Sequence, residues 1–262
     1  MTSHSPAIPQ PMSYKKLSVI IPVFDERNTV AEIIRRARQV DLPLDREIVV
    51  VDDGSTDGTR DVLSHLADST VRVVLHPENR GKGAAIRTGL THITGDLVII
   101  QDADLEYDPA DWPRLLAPVF TGKARVVYGS RFTGERRNML FWHWVGNRFL
   151  TLTTNVLYNT TLSDMETCYK LFDRQVLDDI TLASDRFGFE PEVTAKVLRS
   201  GERIYEVPIS YTGRELHEGK KITWRDGFSA LGVLLRCRIS PAPRRLAPAR
   251  LLRDGRRGRT GR

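Results

Sequence analysis

Leu97 to Asp108 reads LVIIQDADLEYD, four apolar residues running directly into a set of carboxylates. An apolar run of this kind is consistent with a strand buried on both faces of a parallel sheet. Asp102, Asp104 and Glu106 then stand at its carboxyl end with a spacing of two, which aims them one way if the extended backbone continues. Acids held this close raise one another's pKa unless a cation neutralises them, so a hard divalent ion, Mg2+ or Mn2+, is the expected ligand of Asp102, Asp104 and Glu106. An ion bound by so few carboxylates keeps open positions and commonly bridges to phosphates. The plain alternative is an acidic, solvated loop after a strand.

Outward from this stretch the same pattern repeats. Leu17 to Val23 (LSVIIPV) reads as a first buried strand, and Asn28 is placed to cap a helix over residues 29–39 with Ile33 and Ile34 inward. Glu47 to Asp52 (EIVVVD) is a second strand, followed by the turn-rich DGSTDG and a helix to about Leu66. Val71 to His76 is a third strand, and after Gly81-Lys82-Gly83 the helix AAIRTGLTHI leads back to Leu97. Four alternations of strand and helix predict an open, mostly parallel α/β sheet that binds its ligand at the carboxyl ends of the strands. Three of those ends carry chemistry: Pro22 to Glu26, Asp52 to Asp57 and Asp102 to Glu106. The Gly-Lys-Gly turn adds backbone N–H groups and one ammonium suited to phosphate.

Two nucleotide motifs are excluded. GxxxxGK[ST] is absent, and GKGAAI lacks the third glycine of the dinucleotide fingerprint and follows the third strand instead of the first. The 262 residues include no run of 18 apolar residues, and only Cys168 and Cys237 occur, without metal-ligand spacing. A reducing, cytoplasmic setting is expected. Net charge is +6, but ten arginines against Asp254 between Arg236 and Arg262 contribute +9, leaving about −3 for the remainder. That arginine tail favours a polyanion such as an anionic membrane surface. No aromatic residue interleaves with it, so nucleic acid is not expected as a partner.

Taken in order, IIPVFDE, VVVDDGSTDGT, N-x-G-K-G-x-A-x-x-x-G, DADLEYDP and YGSRF resemble the GT-A domain of inverting family-2 glycosyltransferases over residues 17–132. SDMETCYKLF, FGFEPEVTAKV, VPISYTGR and EGKKITWRDG extend the likeness to residue 236, in the manner of bacterial relatives of dolichol-phosphate mannose synthase. The resemblance implies a GT-A type α/β fold, an open mostly parallel sheet flanked by helices with a C-terminal acceptor-side extension. Residues 1–16 then form a disordered leader, 17–240 one glycosyltransferase domain (nucleotide-sugar half 17–132, acceptor and membrane-facing half 133–240) and 241–262 a basic disordered tail. It implies transfer of a hexose, mannose or glucose, from a GDP- or UDP-sugar to polyprenyl phosphate at the inner face of the cell membrane. The same chemistry on a saccharide, small-molecule or protein hydroxyl, and a non-catalytic nucleotide- or lipid-binding module, are the alternatives.

Roles follow position by position from the resemblance. Pro22, Phe24 and Glu26 line the nucleotide pocket, with Phe24 standing where the family often has tyrosine. Val51 and Asp53 hold base and ribose, Lys82 meets phosphate, and Asp102, Ala103 and Asp104 form the DxD element. Glu106 occupies a place where mannose synthases often have glutamine. Arg131, Lys170, Arg214, Lys220 and Lys221 are the implied phosphate and acceptor contacts, because a leaving diphosphate and an arriving phosphate both need cations. Asp164 falls in the acceptor-side motif, either orienting Arg131 or Lys170 or serving as a base for a hydroxyl acceptor. Residues 138–158 (NMLFWHWVGNRFLTLTTNVLY) carry a broad apolar face that suits either a bilayer interface or the core, and residues 227–239 form a second apolar helix too short to span a bilayer. Oligomeric state is not legible.

Overall fold

The computed structural model describes residues 14–214 and 224–240; the leader before Tyr14, Lys220, Lys221 and the tail 241–262 lie outside the described residues. Strand β1 (Lys16–Val23), helix α1 (Val30–Gln39), β2 (Asp45–Asp52), α2 (Thr59–Ser64), β3 (Val71–Leu75), α3 (Lys82–Leu90) and β4 (Leu97–Ile100) supply the expected alternation. Then follow α4 (Trp112–Phe120), β5 (Val126–Ser130), α5 (Phe141–Tyr158), β6 (Lys170–Asp173), α6 (Arg174–Asp178), α7 (Phe189–Arg199), β7 (Ile204–Pro208) and α8 (Trp224–Ile239). Among the described residues the strands form one seven-stranded sheet in the order β3-β2-β1-β4-β6-β5-β7. Pairing is parallel except for β6, which runs antiparallel to both β4 and β5.

The apolar runs explain the middle of this sheet. Every residue of β4 is buried, as are Leu17 and Val19 to Ile21 of β1 and Ile48 to Val51 of β2, because both faces are covered. Helix α1 buries Ile33, Ile34 and Ala37 on one face, and α3 packs against β1 and β2. Strand order reverses between β1 and β4: β1 is followed by β2 on one side and has β4 on the other. A crevice opens at such a switch point beyond the carboxyl ends of the strands, here beside Pro22 and Asp102.

Beyond Ile100 the chain leaves the extended conformation and turns through residues 102–108, with Leu105 at φ 63°. Asp102, Asp104 and Glu106 therefore do not share one strand face, contrary to the expectation from their spacing. A second, smaller apolar cluster lies where α5, α7 and α8 meet, built from Leu150, Met165, Ala195, Ala230 and Leu234.

Candidate active site

At the carboxyl edge of the sheet lies a cavity of about 1010 Å³ lined by Pro22, Phe24, Glu26 and Asp53, by Lys82, and by Asp102, Ala103, Asp104 and Glu106. Arg131 and Arg214 line it as well. Val51 does not: it is fully buried inside β2, so its side chain packs the core and is not presented to a base. Asp53 already has protein donors, receiving the N–H groups of Arg80 (3.0 Å) and Gly81 (2.6 Å) and lying 2.7 Å from His76 Nδ1. It thereby fixes the loop before α3. Gly81 adopts φ 101° and a Cβ there would come within 2.4 Å of the Asp185 carbonyl, so the loop can approach only as glycine. Lys82 then emerges as the first residue of α3.

Lys82 Nζ binds Asp102 (2.8 Å) and Glu190 (2.9 Å). Burial alone would lower its pKa, but the charges of Asp102 and Glu190 outweigh that and hold it protonated. Asp104 is pushed up to about 8 by burial, and then by Asp102 and Glu106. That deficit of positive charge fits a hard divalent cation at Asp102 and Asp104. Glu106 is turned away from that pair, its carboxylate accepting from Tyr211 Oη (2.8 Å) and from the backbone N–H of Arg214 (2.7 Å). Among the described residues no three acidic, His or Cys side chains are gathered as a metal cage. The expected trio of Asp102, Asp104 and Glu106 is thus not gathered at one point, and Asp102 and Asp104 are left as the residues that would hold a cation.

Opposite this end Arg131, just after β5, is held by Asp164. The carboxylate accepts from Arg131 Nε (2.7 Å), Nη2 (2.8 Å) and the backbone N–H (2.9 Å), and Asp164 is fully buried. Asp164 is thus the residue that orients Arg131, and the reading of Asp164 as a base is corrected: its oxygens are engaged and no solvent reaches them. Lys170 is also corrected as an acceptor contact. Its ammonium is buried, donates to the carbonyls of Met165 (2.9 Å) and Thr167, and does not line the cavity. Arg214 pairs with both oxygens of Glu26 (3.1 and 2.8 Å) while its Nε donates to the Asp104 carbonyl (2.9 Å).

Part of the cavity lining is apolar: Trp142, Phe149 and Leu150 of α5 and Leu231 of α8 contribute to it. Only Leu150, Thr151 and Thr154 of α5 are buried, whereas Trp142 is 78% and Val156 75% exposed, with Phe141, Phe149 and Leu152 also exposed. The apolar face of α5 is therefore turned outward, which removes the core-helix alternative for these side chains. No helix among the described residues is long and apolar enough to cross a membrane.

Glu166, Glu190, Asn147 and Tyr211 also line this cavity and carry no expectation from the sequence. Glu190 sits in the first turn of α7, where an acid is ordinarily read as a complement to the helix dipole. Glu166 lies in the connection between α5 and β6, two residues after the Asp164 that holds Arg131. Only the approach of β6 and α7 to the strand ends brings either to the site.

A family model for glycosyl transferase family 2 matches residues 18–181. The undecaprenyl-phosphate 4-deoxy-4-formamido-L-arabinose transferase of Enterobacter sp. (strain 638) is 32% identical over 213 residues, covering 78% of this chain and 62% of that protein. Its counterpart in Salmonella choleraesuis is 30% identical over 211 residues, with 79% and 62% covered. The chain thus spans about three fifths of the length of these relatives. Among solved structures, glucosyl-3-phosphoglycerate synthase from Mycobacterium tuberculosis, in complex with Mn2+, UDP and glucosyl-3-phosphoglycerate, superposes with a TM-score of 0.66 at 23% identity, over 87% of this chain and 81% of that one. This likeness bears on the fold and agrees with the expected GT-A type. With more than half of its length matched by the family model on a sheet of that type, the chain belongs to glycosyl transferase family 2.

Proposed function

We propose that this protein is a metal-dependent inverting glycosyltransferase that moves a sugar from a GDP- or UDP-sugar to polyprenyl phosphate, working as a peripheral protein at the cytoplasmic face of the membrane. One observation carries the reading: a single cavity is lined both by the polar side chains of Asp53, Lys82, Asp102, Asp104 and Arg131 and by apolar side chains of α5 and α8, among them the exposed Trp142 and Phe149. A water-soluble donor and a lipid acceptor need just such a division. Relatives named for transfer to undecaprenyl phosphate support the acceptor class. The sugar was expected to be mannose or glucose; the relatives' names carry a substituted arabinose, so both classes belong in the test.

In the proposed reaction an acceptor phosphate oxygen attacks the anomeric carbon, the bond to the diphosphate breaks, and the electron pair leaves on the nucleoside diphosphate with inversion. Lys82 and Arg214 lie where that charge accumulates and offset it, and Arg131, held rigid by Asp164, faces the incoming phosphate. A bound Mg2+ or Mn2+ at Asp102 and Asp104 would supply Lewis-acid stabilisation of the leaving group. A phosphate acceptor is already ionised and needs no base, whereas a hydroxyl acceptor does. The closed environment of Asp164 favours the phosphate.

The test is turnover of GDP- and UDP-linked mannose, glucose and substituted arabinose with polyprenyl phosphate, with Mn2+ or Mg2+ and with EDTA. Metal-dependent formation of a glycosyl phospholipid is expected for one donor. Transfer to hydroxyl acceptors only would sink the lipid assignment, and nucleotide-sugar binding without any turnover would favour the non-catalytic module.

A further inference from the structure

The segment from Ser163 to Lys170, SDMETCYK, carries two acids with opposite fates. Asp164 is sealed against Arg131. Glu166, two residues on, lines the cavity, and its Oε1 is shut off from solvent with no hydrogen-bond partner among the described residues. A buried acceptor left unpaired is unfavourable, and such a group in a cavity wall asks for a donor from the ligand.

The charges around Glu166 narrow what that donor can be. Glu190 faces it from α7, Lys170 from β6, Arg131 from the turn after β5, and Asp164 from its own segment. Burial first, and then Glu190, push its pKa up to about 8, so near neutral pH it largely keeps its proton. A neutral carboxyl offers one donor and acceptor sites besides, the pairing a sugar hydroxyl can answer from both sides. An anion would meet Glu190 and Asp164; Lys82 is bound to Glu190 Oε1, and Glu190 Oε2 is buried with no hydrogen-bond partner among the described residues. Glu166 interacts with Glu190, which Lys82 ties to Asp102 at the diphosphate end, and with Arg131 at the acceptor end. The part of a nucleotide sugar between those ends is the glycosyl ring.

We infer that Glu166 is a specificity-determining residue for the transferred sugar, its cavity-facing carboxyl pairing with one ring hydroxyl. The inference rests on the proposed nucleotide-sugar reading of the same cavity. It accounts for an acid that neither the metal pair nor the arginine anchor uses.

Equilibrium binding to the full chain tests it, with the preferred nucleotide sugar, its monodeoxy analogues and the free nucleoside diphosphate as probes. Glu166→Ala is expected to weaken the parent sugar by about 10- to 100-fold, but to change the affinity of one deoxy analogue by less than about threefold, because that analogue lacks the hydroxyl in question. Free nucleoside diphosphate should bind all variants equally. Glu166→Gln, nearly isosteric, should keep the wild-type melting midpoint and recover part of the loss, which separates recognition from folding. Identical discrimination among deoxy analogues by wild type and both variants would overturn the inference while leaving the proposed function intact. Equal loss of the free nucleoside diphosphate would overturn it too, by making Glu166 a support of the whole cavity. Failure of the wild-type chain to bind any nucleotide sugar would remove the proposed function and this inference together.

Discussion

Lys82–Asp102 and Arg131–Asp164, two of the ion pairs at the cavity, differ in kind. Lys82 and Asp102, with side chains 17% and 20% exposed, meet at the strand ends, and Lys82 is shared with Glu190. Arg131 and Asp164, at 9% and 0%, are locked by three hydrogen bonds. The first pair can exchange partners when a diphosphate or cation arrives, because water and ligand reach it. The second cannot let go without stranding a buried charge. A transferase handling two anions gains from having both: an exchangeable station for the group that must leave, and a rigid one that costs no reorganisation when the other anion arrives.

The largest expected effect breaks the rigid pair. Asp164→Ala leaves Arg131 buried and unpaired, which should cost about 3–5 kcal/mol of stability and lower the melting midpoint by on the order of 10 °C. A midpoint within a degree or two of wild type would show that water relieves Arg131 and that the station is not rigid. Next, Asp104→Ala attacks the exchangeable end. Turnover should fall roughly 100- to 1000-fold with the melting midpoint retained, since the carboxyl lies on a turn outside the core. Wild-type rates would end its assignment to the metal.

A middle-sized effect is expected at Asp53, which holds the glycine loop and lines the cavity. Asp53→Ala should raise the donor KM more than it lowers kcat, because a nucleotide contact is equal in ground and transition states. A fall in kcat alone would move Asp53 out of the donor site. The pH dependence of stability sharpens the contrast further. Glu166 has a raised folded-state pKa, so the fold binds its proton more tightly than the unfolded chain does. Its contribution is then fully present below its ordinary value of 4.5 and is lost as pH rises toward about 8. Lys170, lowered to about 8, adds a slope of opposite sign only above that pH. Thermal melts between pH 5 and 8 should decline with pH in wild type and decline less steeply in Glu166→Gln, the remaining slope coming from Asp104, also raised to about 8; superimposable curves would show that Glu166 is not held neutral.

The smallest expected change is on α5. Replacing the exposed Trp142 and Phe149 by alanine should shift the melting midpoint little while weakening binding to lipid vesicles in a salt-insensitive manner, as lost interfacial apolar contact does. Unchanged vesicle binding would leave these side chains without a membrane role.

Legibility divided along chemical lines. Buried strands β1, β2 and β4 announce themselves because a strand covered on both faces must be continuously apolar, and the glycine loop because residue 81 must take φ 101°. Of the residues that the family motifs singled out, Pro22, Phe24, Glu26, Asp53, Lys82, Asp102, Ala103, Asp104, Glu106, Arg131 and Arg214 line the cavity, whereas Val51, Asp164 and Lys170 are buried away from it. Misreading came where side-chain direction depends on local backbone: a turn at Leu105 rotated Glu106 toward Tyr211 and Arg214, and no spacing rule contains that turn.

By itself the amino-acid sequence determined the α/β alternation, the strand-end location of the site and the family, since these follow from hydrophobic period and from motifs local in the chain. Tertiary structure alone decided which acid pairs with which base. Asp164 closes on Arg131 across 33 positions, Arg214 reaches Glu26 across 188, and the antiparallel insertion of β6 with the docking of α7 carries Glu166 and Glu190 to the cavity wall. The apolar face of α5 likewise reads the same in sequence whether buried or exposed. Which way it turns depends on the partners available to it, and only Leu150, Thr151 and Thr154 find partners that bury them.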